Sequence, residues 1–550
     1  MLLLSSKIKF NLLAWQVANK LISSYPDVCP FARKYRNSML ETELEPIHTD
    51  AARRTNAPGA PDLDFSPLPV SAPEAAPKYY HVATWGCQMN EEDSEQISLY
   101  LEELGYTAVG DYASADIVML NTCSVRQKPE EKVWSELGRL RDLKLVKPDL
   151  IVGVCGCMAQ SEYTEIQRRA PHVNLIVGTG NIAAIPEMIA QIKDADTGSP
   201  SSILTALPRK SSGNLVPLTS LTLPPRRGVI VSEIPARKTE RAASLKAHIP
   251  IMYGCDKFCT FCIVPLTRGR ERSRPTVDIL AEIEGMARNG TKEVCLLGQT
   301  VNSYGKNLPE GRVPFARLLE EISQIRGIQR IRFTSPYPRD FTDELIETIA
   351  KLDKVCEQVH LPLQVADDEL LAEMHRGYTV ADFRTIVEKL RAQVSGIAIS
   401  TDIMLGYPGE TDDQYQNTMR FVEETQFDSA FMFAYSPRTN TKAALKTNQV
   451  PKPVKVDRLN RLVELQNSIT ISKNKAQIGN VVEVLVEGRS QKDDNRLSGY
   501  TRTLKMTHFT VPEGGTRSLD SLIGKTVPVF VEGANLTSFY GVLAEPTPYL

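Results

Sequence analysis

Residues 253–262 read Tyr253-Gly254-Cys255-Asp256-Lys257-Phe258-Cys259-Thr260-Phe261-Cys262, with three cysteines in the spacing C-x3-C-x2-C. A [4Fe-4S] cluster is fully ligated by four thiolates, so three leave one iron open. An open iron can chelate a small molecule through an amine and a carboxylate. Zinc is the alternative, but structural zinc takes a fourth protein ligand, and the nearest histidine, His248, lies upstream in a predicted strand. The spacing and its flanks favour the cluster.

The chain before this loop predicts an open parallel α/β domain over residues 78–194. Apolar runs that indicate strands alternate with segments of helical period, which is typical of a parallel sheet. The predicted strands are Tyr79–Trp85, Ile117–Leu120, Leu150–Val154 and Leu175–Val177, and the predicted helices are Asn90–Leu104, Pro129–Leu143, Ser161–Arg169 and Ile182–Ile192.

Three more cysteines, Cys87, Cys123 and Cys157, follow three of these predicted strands. The carboxyl ends of strands in an open parallel sheet gather in one crevice, so residues far apart in sequence meet there. The shared position predicts a second site with three thiolates. The alternative is that each is a buried apolar cysteine, the commonest fate of a lone one.

The rest of the chain predicts a linker and two further domains. Residues 195–245 are rich in Ser, Pro and Arg and read as a linker. Residues 246–474 resume the alternation with six β/α units, which predicts a partial (β/α)6 barrel with the cysteine loop after its first strand. The predicted barrel strands are Ile249–Tyr253, Glu293–Leu297, Arg330–Thr334, Gln358–Leu363, Ile397–Leu405 and Ala430–Tyr435. Residues 477–545 contain short strands between Gly and polar turns, which predicts a small antiparallel β-barrel.

The composition indicates the cellular compartment but does not identify the binding partner. A formal net charge of −2 over 550 residues gives no global basic field, so RNA binding would depend on local patches. Ten cysteines are too few for a disulfide framework, and no apolar run is long enough to span a membrane. We expect a reducing compartment, the cytoplasm. Residues 1–77 read as a leader and flexible linker, and an organelle is the alternative if they act as a targeting segment.

Six motifs in a fixed order resemble the radical-SAM methylthiotransferase family, in which SAM is S-adenosylmethionine. The resemblance covers the chain from about Lys78 to the C-terminus, and the first two motifs are similar to the branch that acts on tRNA. The motifs are Gly86-Cys87-Gln88-Met89-Asn90, Asn121-Thr122-Cys123-Ser124-Val125-Arg126, Gly156-Cys157-Met158-Ala159, the Cys255 loop with residues 267–275, Leu296-Leu297-Gly298-Gln299-Thr300-Val301-Asn302, and Gly406-Tyr407-Pro408-Gly409-Glu410.

The resemblance implies two [4Fe-4S] clusters and SAM as cofactors. The cluster on Cys255, Cys259 and Cys262 would bind SAM and cleave it to a 5′-deoxyadenosyl radical. The cluster on Cys87, Cys123 and Cys157 would supply the sulfur, and a second SAM would donate the methyl group. The family pattern and the strand-end position favour Cys157 over Cys155 as the ligand. No general base is assigned, because the inert C2 carbon of adenine offers no acid or base handle.

Residues at the end of the second predicted barrel strand and along the fifth are candidate cofactor contacts, because a cofactor over the strand ends would reach them. They are Gly298, Gln299, Asn302, Thr401, Asp402 and Gly406. Ordinary strand and turn packing is the alternative for these residues. One departure from the family lies nearby: Val365-Ala366-Asp367 stands where the family usually has Ser-Gly-Ser, so the hydroxyl contacts expected there are missing.

The candidate RNA contacts form two groups. Arg268, Arg270, Arg272 and Arg274 follow the cysteine loop and predict a basic ridge for the phosphates of an anticodon stem-loop, with a solvated charge run as the alternative. The C-terminal barrel resembles the RNA-binding TRAM module. Its candidate contacts are Arg489, Lys492 and Arg502.

The resemblance implies a reaction and its partners. The expected reaction is methylthiolation of N6-(dimethylallyl)adenosine 37 in tRNAs reading codons that begin with U. The alternatives are a side chain of ribosomal protein S12, threonylcarbamoyl-adenosine, or a noncatalytic RNA-binding protein with structural metal. We expect a monomer that receives electrons from a flavodoxin or ferredoxin.

Overall fold

The computed structural model describes residues 77–124, 127–197, 217–223, 234–308, 311–512 and 518–544. Residues 1–76 of the predicted leader and most of the predicted linker lie outside these ranges. From residue 75 onward the chain forms one compact unit. No helix in the described ranges has the length and hydropathy of a bilayer-spanning segment.

The N-terminal part is an open sheet of six parallel strands in the order β2-β1-β3-β4-β5-β6. β3 and β4 are buried along their whole length because helices cover both faces of the sheet, and a separate apolar cluster lies on each face. The strands are β1 Lys78–Trp85, β2 Tyr106–Ala108, β3 Ile117–Thr122, β4 Ile151–Gly156, β5 Leu175–Val177 and β6 Leu218–Ser220, and the helices are α1 Gln88–Glu103, α2 Gln127–Val146, α3 Cys157–Arg169 and α4 Ile185–Thr197.

Two described stretches of the predicted linker, residues 217–223 and 234–245, pack against the N-terminal domain. β6 falls inside residues 195–245 and pairs with β5 through Leu175 and Leu218, so it belongs to the N-terminal sheet. A strand of three residues has too little periodicity to be recognised in a sequence. Residues 234–245 contact α1, where the Gln96 side chain pairs with both backbone groups of Lys238.

The central part is the predicted partial barrel of six parallel strands. Two three-stranded sheets, β11-β10-β7 and β12-β13-β14, are joined by a bridge between Ile331 and Val355. The first strand was predicted at Ile249–Tyr253, but it ends at Pro250, and Met252–Tyr253 instead pairs antiparallel with Arg272–Ser273. The strands are β7 Lys246–Pro250, β8 Met252–Tyr253, β9 Arg272–Ser273, β10 Glu293–Leu297, β11 Arg330–Phe333, β12 Gln358–His360, β13 Ala398–Leu405 and β14 Ser429–Ala434.

Helices cover the outer face of this barrel and share its apolar core. Ile399, Ile403 and Leu405 of β13 are fully buried against them, whereas the alternating Ser400 and Asp402 are partly exposed on the inner face. The helices are α5 Val264–Thr267, α6 Thr276–Arg288, α7 Phe315–Ser323, α8 Asp343–Lys351, α9 Asp368–Glu373, α10 Val380–Gln393, α11 Asp412–Thr425 and α12 Lys452–Lys475.

The C-terminal part is a closed five-stranded barrel in the order β15-β16-β17-β19-β18. Four of its five strand pairs are antiparallel as predicted, but β17 and β19 are parallel, which corrects the expectation of a fully antiparallel barrel. The likeness to a TRAM module stays a prediction. The strands are β15 Val481–Ser490, β16 Asp493–Thr501, β17 Met506–Thr510, β18 Thr526–Ala534 and β19 Ser538–Leu543.

The C-terminal barrel docks at the amino ends of the central strands. Arg330 and Arg332 of β11 are buried and donate to the carbonyl oxygens of Tyr500, Thr501 and Arg502 at 2.7–2.8 Å. The carboxyl ends of the central strands, where the cysteine loop lies, are at the opposite end of the barrel.

A buried carboxylate joins the linker to the central barrel. Glu282 of α6 accepts from Arg237 at 2.8 Å, from Arg274 at 2.7 Å and from Arg241. Burial raises the pKa of Glu282, but the three guanidinium groups outweigh burial and hold that pKa below its ordinary value. Arg237 also contacts Glu92 of α1 at 3.0 Å, so this network ties α1, the linker and α6 together.

Replacing Glu282 by Ala is expected to lower the free energy of unfolding by about 3–5 kcal/mol, because it leaves three buried cations without their shared partner. Urea denaturation followed by circular dichroism measures the change. Glu284→Ala on the same helix is the matched control, since Glu284 is 55% exposed and its loss is expected to cost at most about 0.5 kcal/mol. Equal midpoints for the two variants would contradict the role of Glu282.

Candidate active site

The structure brings Cys87, Cys123 and Cys157 together at the carboxyl ends of three adjacent strands. Cys87 is the N-cap of α1 after β1, Cys123 follows β3, and Cys157 begins α3 directly after β4. The Cys123 side chain makes hydrogen bonds with both other thiols. Cys87 is exposed and the other two are buried, so the group opens to solvent on the Cys87 side.

Two asparagines of the sequence motifs hold these strand ends in place. Asn90 donates to the side-chain oxygen of Asn121 at 3.1 Å, and Asn121 donates to the Asn90 carbonyl oxygen at 2.9 Å. Gly156 has φ +89°, and a Cβ there would lie 2.5 Å from the Thr122 carbonyl oxygen. Only glycine therefore lets β4 approach β3 closely enough to bring Cys157 beside Cys123.

The electrostatics of this group favour thiolates, which are the form that binds iron. Hydrogen bonding to Cys123 is the largest effect that lowers the pKa of Cys87 and of Cys157, in each case to about 6, and the charge of Arg268 lowers both further. Hydrogen bonds to the same two groups raise the pKa of Cys123. The surroundings of Cys87 and Cys157 therefore favour the thiolate form.

Cys155 lies within β4, two residues before Cys157. It is fully buried in an apolar cluster, its Sγ is 3.6 Å from the Leu120 carbonyl oxygen, and burial raises its pKa. Cys155 is therefore a core residue, in agreement with the choice of Cys157 from the sequence.

The second cysteine loop lies between β8 and α5 and is braced on both sides. Asp256 accepts two hydrogen bonds from Arg270, at 2.7 and 3.0 Å. Thr260 donates to the Glu373 carbonyl oxygen at 3.0 Å. Gly254 has φ +74°, and a Cβ there would overlap the backbone of Arg270.

The three thiols of this loop act on one another electrostatically. Burial raises the pKa of Cys262 to about 12, and the charge of Cys259 adds to that shift. Burial, followed by the charge of Cys262, raises the pKa of Cys255. Arg376, which is 6% exposed, donates to the Cys259 Sγ at 3.5 Å and to the Pro362 carbonyl oxygen at 3.0 Å. The sequence did not single out Arg376, because 117 residues separate it from Cys259.

Each triad fits a [4Fe-4S] cluster by its donor set. Such a cluster takes one thiolate per iron, so its ligands surround a cluster rather than one ion. Within the described ranges, no three or more His, Cys, Asp or Glu side chains are arranged so that they could hold a single metal ion. The fit rests on the three cysteines that the fold brings together at each site.

The two triads are neighbours. α5, which follows Cys262, packs on α3, which begins at Cys157, and Thr179 donates to the Thr267 carbonyl oxygen at 2.6 Å. The charge of Cys157 contributes to the raised pKa of Cys262. Sulfur chemistry at one triad is therefore within electrostatic range of the other.

The six candidate cofactor contacts differ in whether their side chains have a polar group that could contact a cofactor. Gln299 has a buried side-chain oxygen for which the described part of the chain supplies no hydrogen-bond partner, and Asp402 is 26% exposed on the inner face of the barrel. Gly298 and Gly406 are packing positions, because a Cβ would collide with Met252 and Lys455 respectively. Gln299 and Asp402 remain the best candidates.

Two of these predictions are corrected. Both ends of the Asn302 amide are engaged by the Tyr337 backbone, at 2.9 and 2.7 Å, so Asn302 holds that loop. Thr401 is fully buried on the helix-facing side of β13 and accepts from the Leu363 amide at 3.0 Å. Their strand-end position predicted cofactor contact, but the direction of the side chain decides it.

His360 is an inner-face residue that the sequence did not assign. Its ring lies 3.4 Å from Asp402 and 3.0 Å from Ser400, and packs edge-on against Phe431 at 5.6 Å.

The departure from the family pattern at Val365-Ala366-Asp367 has a structural explanation. Asp367 caps α9 and accepts from Asn417 at 3.0 Å, and Val365 is fully buried.

The predicted arginine ridge is wrong for three of its four members. Arg268, Arg272 and Arg274 are at most 5% exposed. Arg268 pairs with Asp93 at 2.7 Å, and Arg274 pairs with Glu282. Arg270 is partly exposed but braces Asp256. From the sequence alone, a dense run of arginines is typical of an exposed basic surface. The acidic partners that bury these arginines lie up to 175 residues away, so the sequence pattern did not indicate them.

The candidate RNA contacts of the C-terminal barrel also divide. Arg502 pairs with Glu357 at 2.7 Å and donates to the Val355 carbonyl oxygen at 2.9 Å, so it fastens the barrel to the core and is not an RNA contact. Arg489 is 41% exposed beside Asp520, and Lys492 is exposed. RNA contact by Arg489 and Lys492 stays a prediction.

Two family models match the chain in the parts that carry the triads. Uncharacterized protein family UPF0004 matches residues 79–178, and the Radical SAM superfamily matches residues 249–422. A solved radical S-adenosylmethionine methyltransferase from Kitasatospora setae covers 67% of this chain and 77% of its own, with 14% identity and a TM-score of 0.47. The mixed α/β fold, the cysteine loop and the Radical SAM match define an enzyme of the radical SAM class.

Similar proteins narrow this class. A tRNA-2-methylthio-N(6)-dimethylallyladenosine synthase from Moorella thermoacetica is 44% identical over 79% of this chain and 93% of its own length. A protein of the same name from Carboxydothermus hydrogenoformans is 41% identical over 85% of this chain and its full length. The chain belongs to the family of the tRNA-2-methylthio-N(6)-dimethylallyladenosine synthases.

Proposed function

We propose that the chain places a methylthio group on C2 of N6-(dimethylallyl)adenosine 37 in tRNAs that read codons beginning with U. The observation that carries the proposal is the pair of adjacent three-thiol sites, one in each matched domain. Bound there, two [4Fe-4S] clusters and SAM would supply sulfur, a methyl group and radical chemistry. The names of the similar proteins support the substrate.

The residues of the chain divide the work between the two triads. Cys255, Cys259 and Cys262 would hold the cluster that binds SAM, with Gln299 and Asp402 as its candidate contacts. Cys87, Cys123 and Cys157 would hold the second cluster, whose exposed Cys87 side gives sulfur access to it. The docked C-terminal barrel would bind the tRNA through its exposed cations.

The setting and partners are part of the proposal. Nine cysteines in the described ranges are free thiols, which fits a reducing compartment, the cytoplasm, with an organelle as the alternative. A flavodoxin or ferredoxin would supply electrons to a monomer.

The test is expression in a bacterial strain that lacks its own tRNA methylthio enzyme, followed by digestion of the tRNA and mass spectrometry. We expect 2-methylthio-N6-(dimethylallyl)adenosine with the intact chain and none with the Cys259→Ala variant. A strain that also lacks the prenyl group on adenosine 37 is expected to yield no product.

The same cells distinguish the alternatives. Intact mass of ribosomal protein S12 reports a methylthio group on the protein, and the nucleoside digest reports a methylthio derivative of threonylcarbamoyl-adenosine. Either product in place of the prenylated nucleoside would overturn the proposed substrate while leaving the reaction class intact.

A further inference from the structure

Arg268 follows the SAM-site cysteine loop in the sequence, but its side chain serves the other triad. The guanidinium is 4% exposed and pairs with Asp93 at 2.7 Å. Asp93 lies on α1, the helix that Cys87 caps. A residue of the central barrel therefore reaches into the N-terminal domain.

Two neighbours place this guanidinium near the N-terminal triad: Asp93 lies on the helix that Cys87 caps, and α5, which ends at Thr267, packs on α3, which begins at Cys157. Hydrogen bonding to Cys123 is the largest effect lowering the pKa of Cys87 and Cys157, and the charge of Arg268 lowers both pKa values as well. In the other direction, burial lowers the pKa of Arg268, but Asp93 and these two thiols outweigh burial and raise it well above its ordinary value. One cation thus interacts electrostatically with one carboxylate and two cluster ligands.

The backbone around Arg268 is held on both sides. Thr179 of the N-terminal domain donates to the carbonyl oxygen of Thr267, and the Arg268 amide donates to the Val264 carbonyl oxygen at 2.8 Å. The cation is therefore positioned before any cluster is bound. Positioned charge in a buried site is only weakly screened by salt.

We propose that Arg268 is a positioning residue that raises the reduction potential of the N-terminal cluster, and that Asp93 lowers this potential. The inference rests on the proposed function, because it assumes a cluster on Cys87, Cys123 and Cys157. Reduction adds negative charge to a cluster, so a nearby cation favours the reduced form and a nearby carboxylate disfavours it. Partners of the ligands commonly tune metal sites in this way.

The test uses the full chain with Cys259→Ala as background, so that the N-terminal cluster supplies the iron–sulfur signal. Its midpoint potential is measured by redox titration under visible absorption and electron paramagnetic resonance. We expect Arg268→Met to lower the potential, Asp93→Asn to raise it, and Arg268→Lys, which keeps the charge, to stay nearest the unsubstituted background. Arg168→Met is the control, because Arg168 lies on α3 but is 71% exposed, and we expect it to leave the potential unchanged.

Shifts of opposite sign separate this role from a structural one, since a loosened site would move both variants in the same direction. Unchanged potentials in Arg268→Met and Asp93→Asn, or shifts of the same sign, would overturn the inference. If Arg268→Met retains no cluster, the sign of the Asp93→Asn shift decides. A Cys259→Ala background that binds no cluster at all would instead overturn the two-cluster proposal.

Discussion

Replacing Cys157 by Ser is expected to abolish the N-terminal cluster and with it all methylthiolation, while Cys155→Ser keeps both. The two cysteines are two residues apart, but Cys155 lies within β4 whereas Cys157 is the first residue of α3. Cys157 makes a hydrogen bond with Cys123 and has a pKa of about 6, whereas Cys155 is fully buried in the apolar core and its pKa is raised. The iron content of the reconstituted chain should fall from about eight to about four atoms in the Cys157→Ser variant.

The measurement is iron and sulfide content with visible absorption of anaerobically reconstituted protein. Cys155→Ser is the matched control, because it makes the same chemical change two residues away and leaves the triad untouched. It removes a buried apolar side chain, so some loss of stability is expected, but not of iron. Loss of iron from Cys155→Ser with full iron in Cys157→Ser would move the ligand assignment to Cys155.

The second large effect separates the two triads by function. Cys259→Ala is expected to abolish SAM cleavage and methylthiolation, whereas Cys87→Ala is expected to abolish only methylthiolation. The reason is that the loop with Cys255, Cys259 and Cys262 is braced by residues of the central barrel, through Arg270, Glu373 and Arg376, and not by the N-terminal triad. Release of 5′-deoxyadenosine under reduction measures cleavage in each variant.

Two controls make this separation decisive. Iron content must show that each variant still holds the cluster of the untouched triad. Cys356→Ala supplies a cysteine substitution outside both triads, at a residue that is 1% exposed, and it is expected to retain SAM cleavage. A Cys87→Ala protein that keeps its SAM-site iron but cannot cleave SAM would refute the division of labour.

Much of the fold and of both triads could be predicted from local pattern. Alternating apolar runs indicated the six barrel strands and four strands of the N-terminal sheet, because each strand shows its burial as a short-range period. The triads were predicted because Cys87, Cys123 and Cys157 share a strand-end position and Cys255, Cys259 and Cys262 share a loop. β2 and β6, with three residues each, were too short to show any period.

Side-chain partners over long sequence separation could not be predicted in this way. The arginines at 268, 272 and 274 read as a surface ridge, yet they are buried, two of them against Asp93 and Glu282. Asn302 follows β10 and Thr401 lies within β13, yet their polar groups hold the Tyr337 and Leu363 backbones. In each case the deciding partner lies on another element.

The order of residues along the chain was therefore enough to predict the two cysteine triads, the three folded parts and the family. Cysteine spacing and strand period are properties of neighbouring residues, which do not require knowledge of the packed chain. The tertiary structure alone showed that the two triads are adjacent, that Cys155 is buried in the core, and that Arg268 pairs with Asp93 of the other domain. These features depend on the direction of a side chain and on the groups that it meets. For charged side chains this matters most, because a buried charge without a partner costs a large free energy.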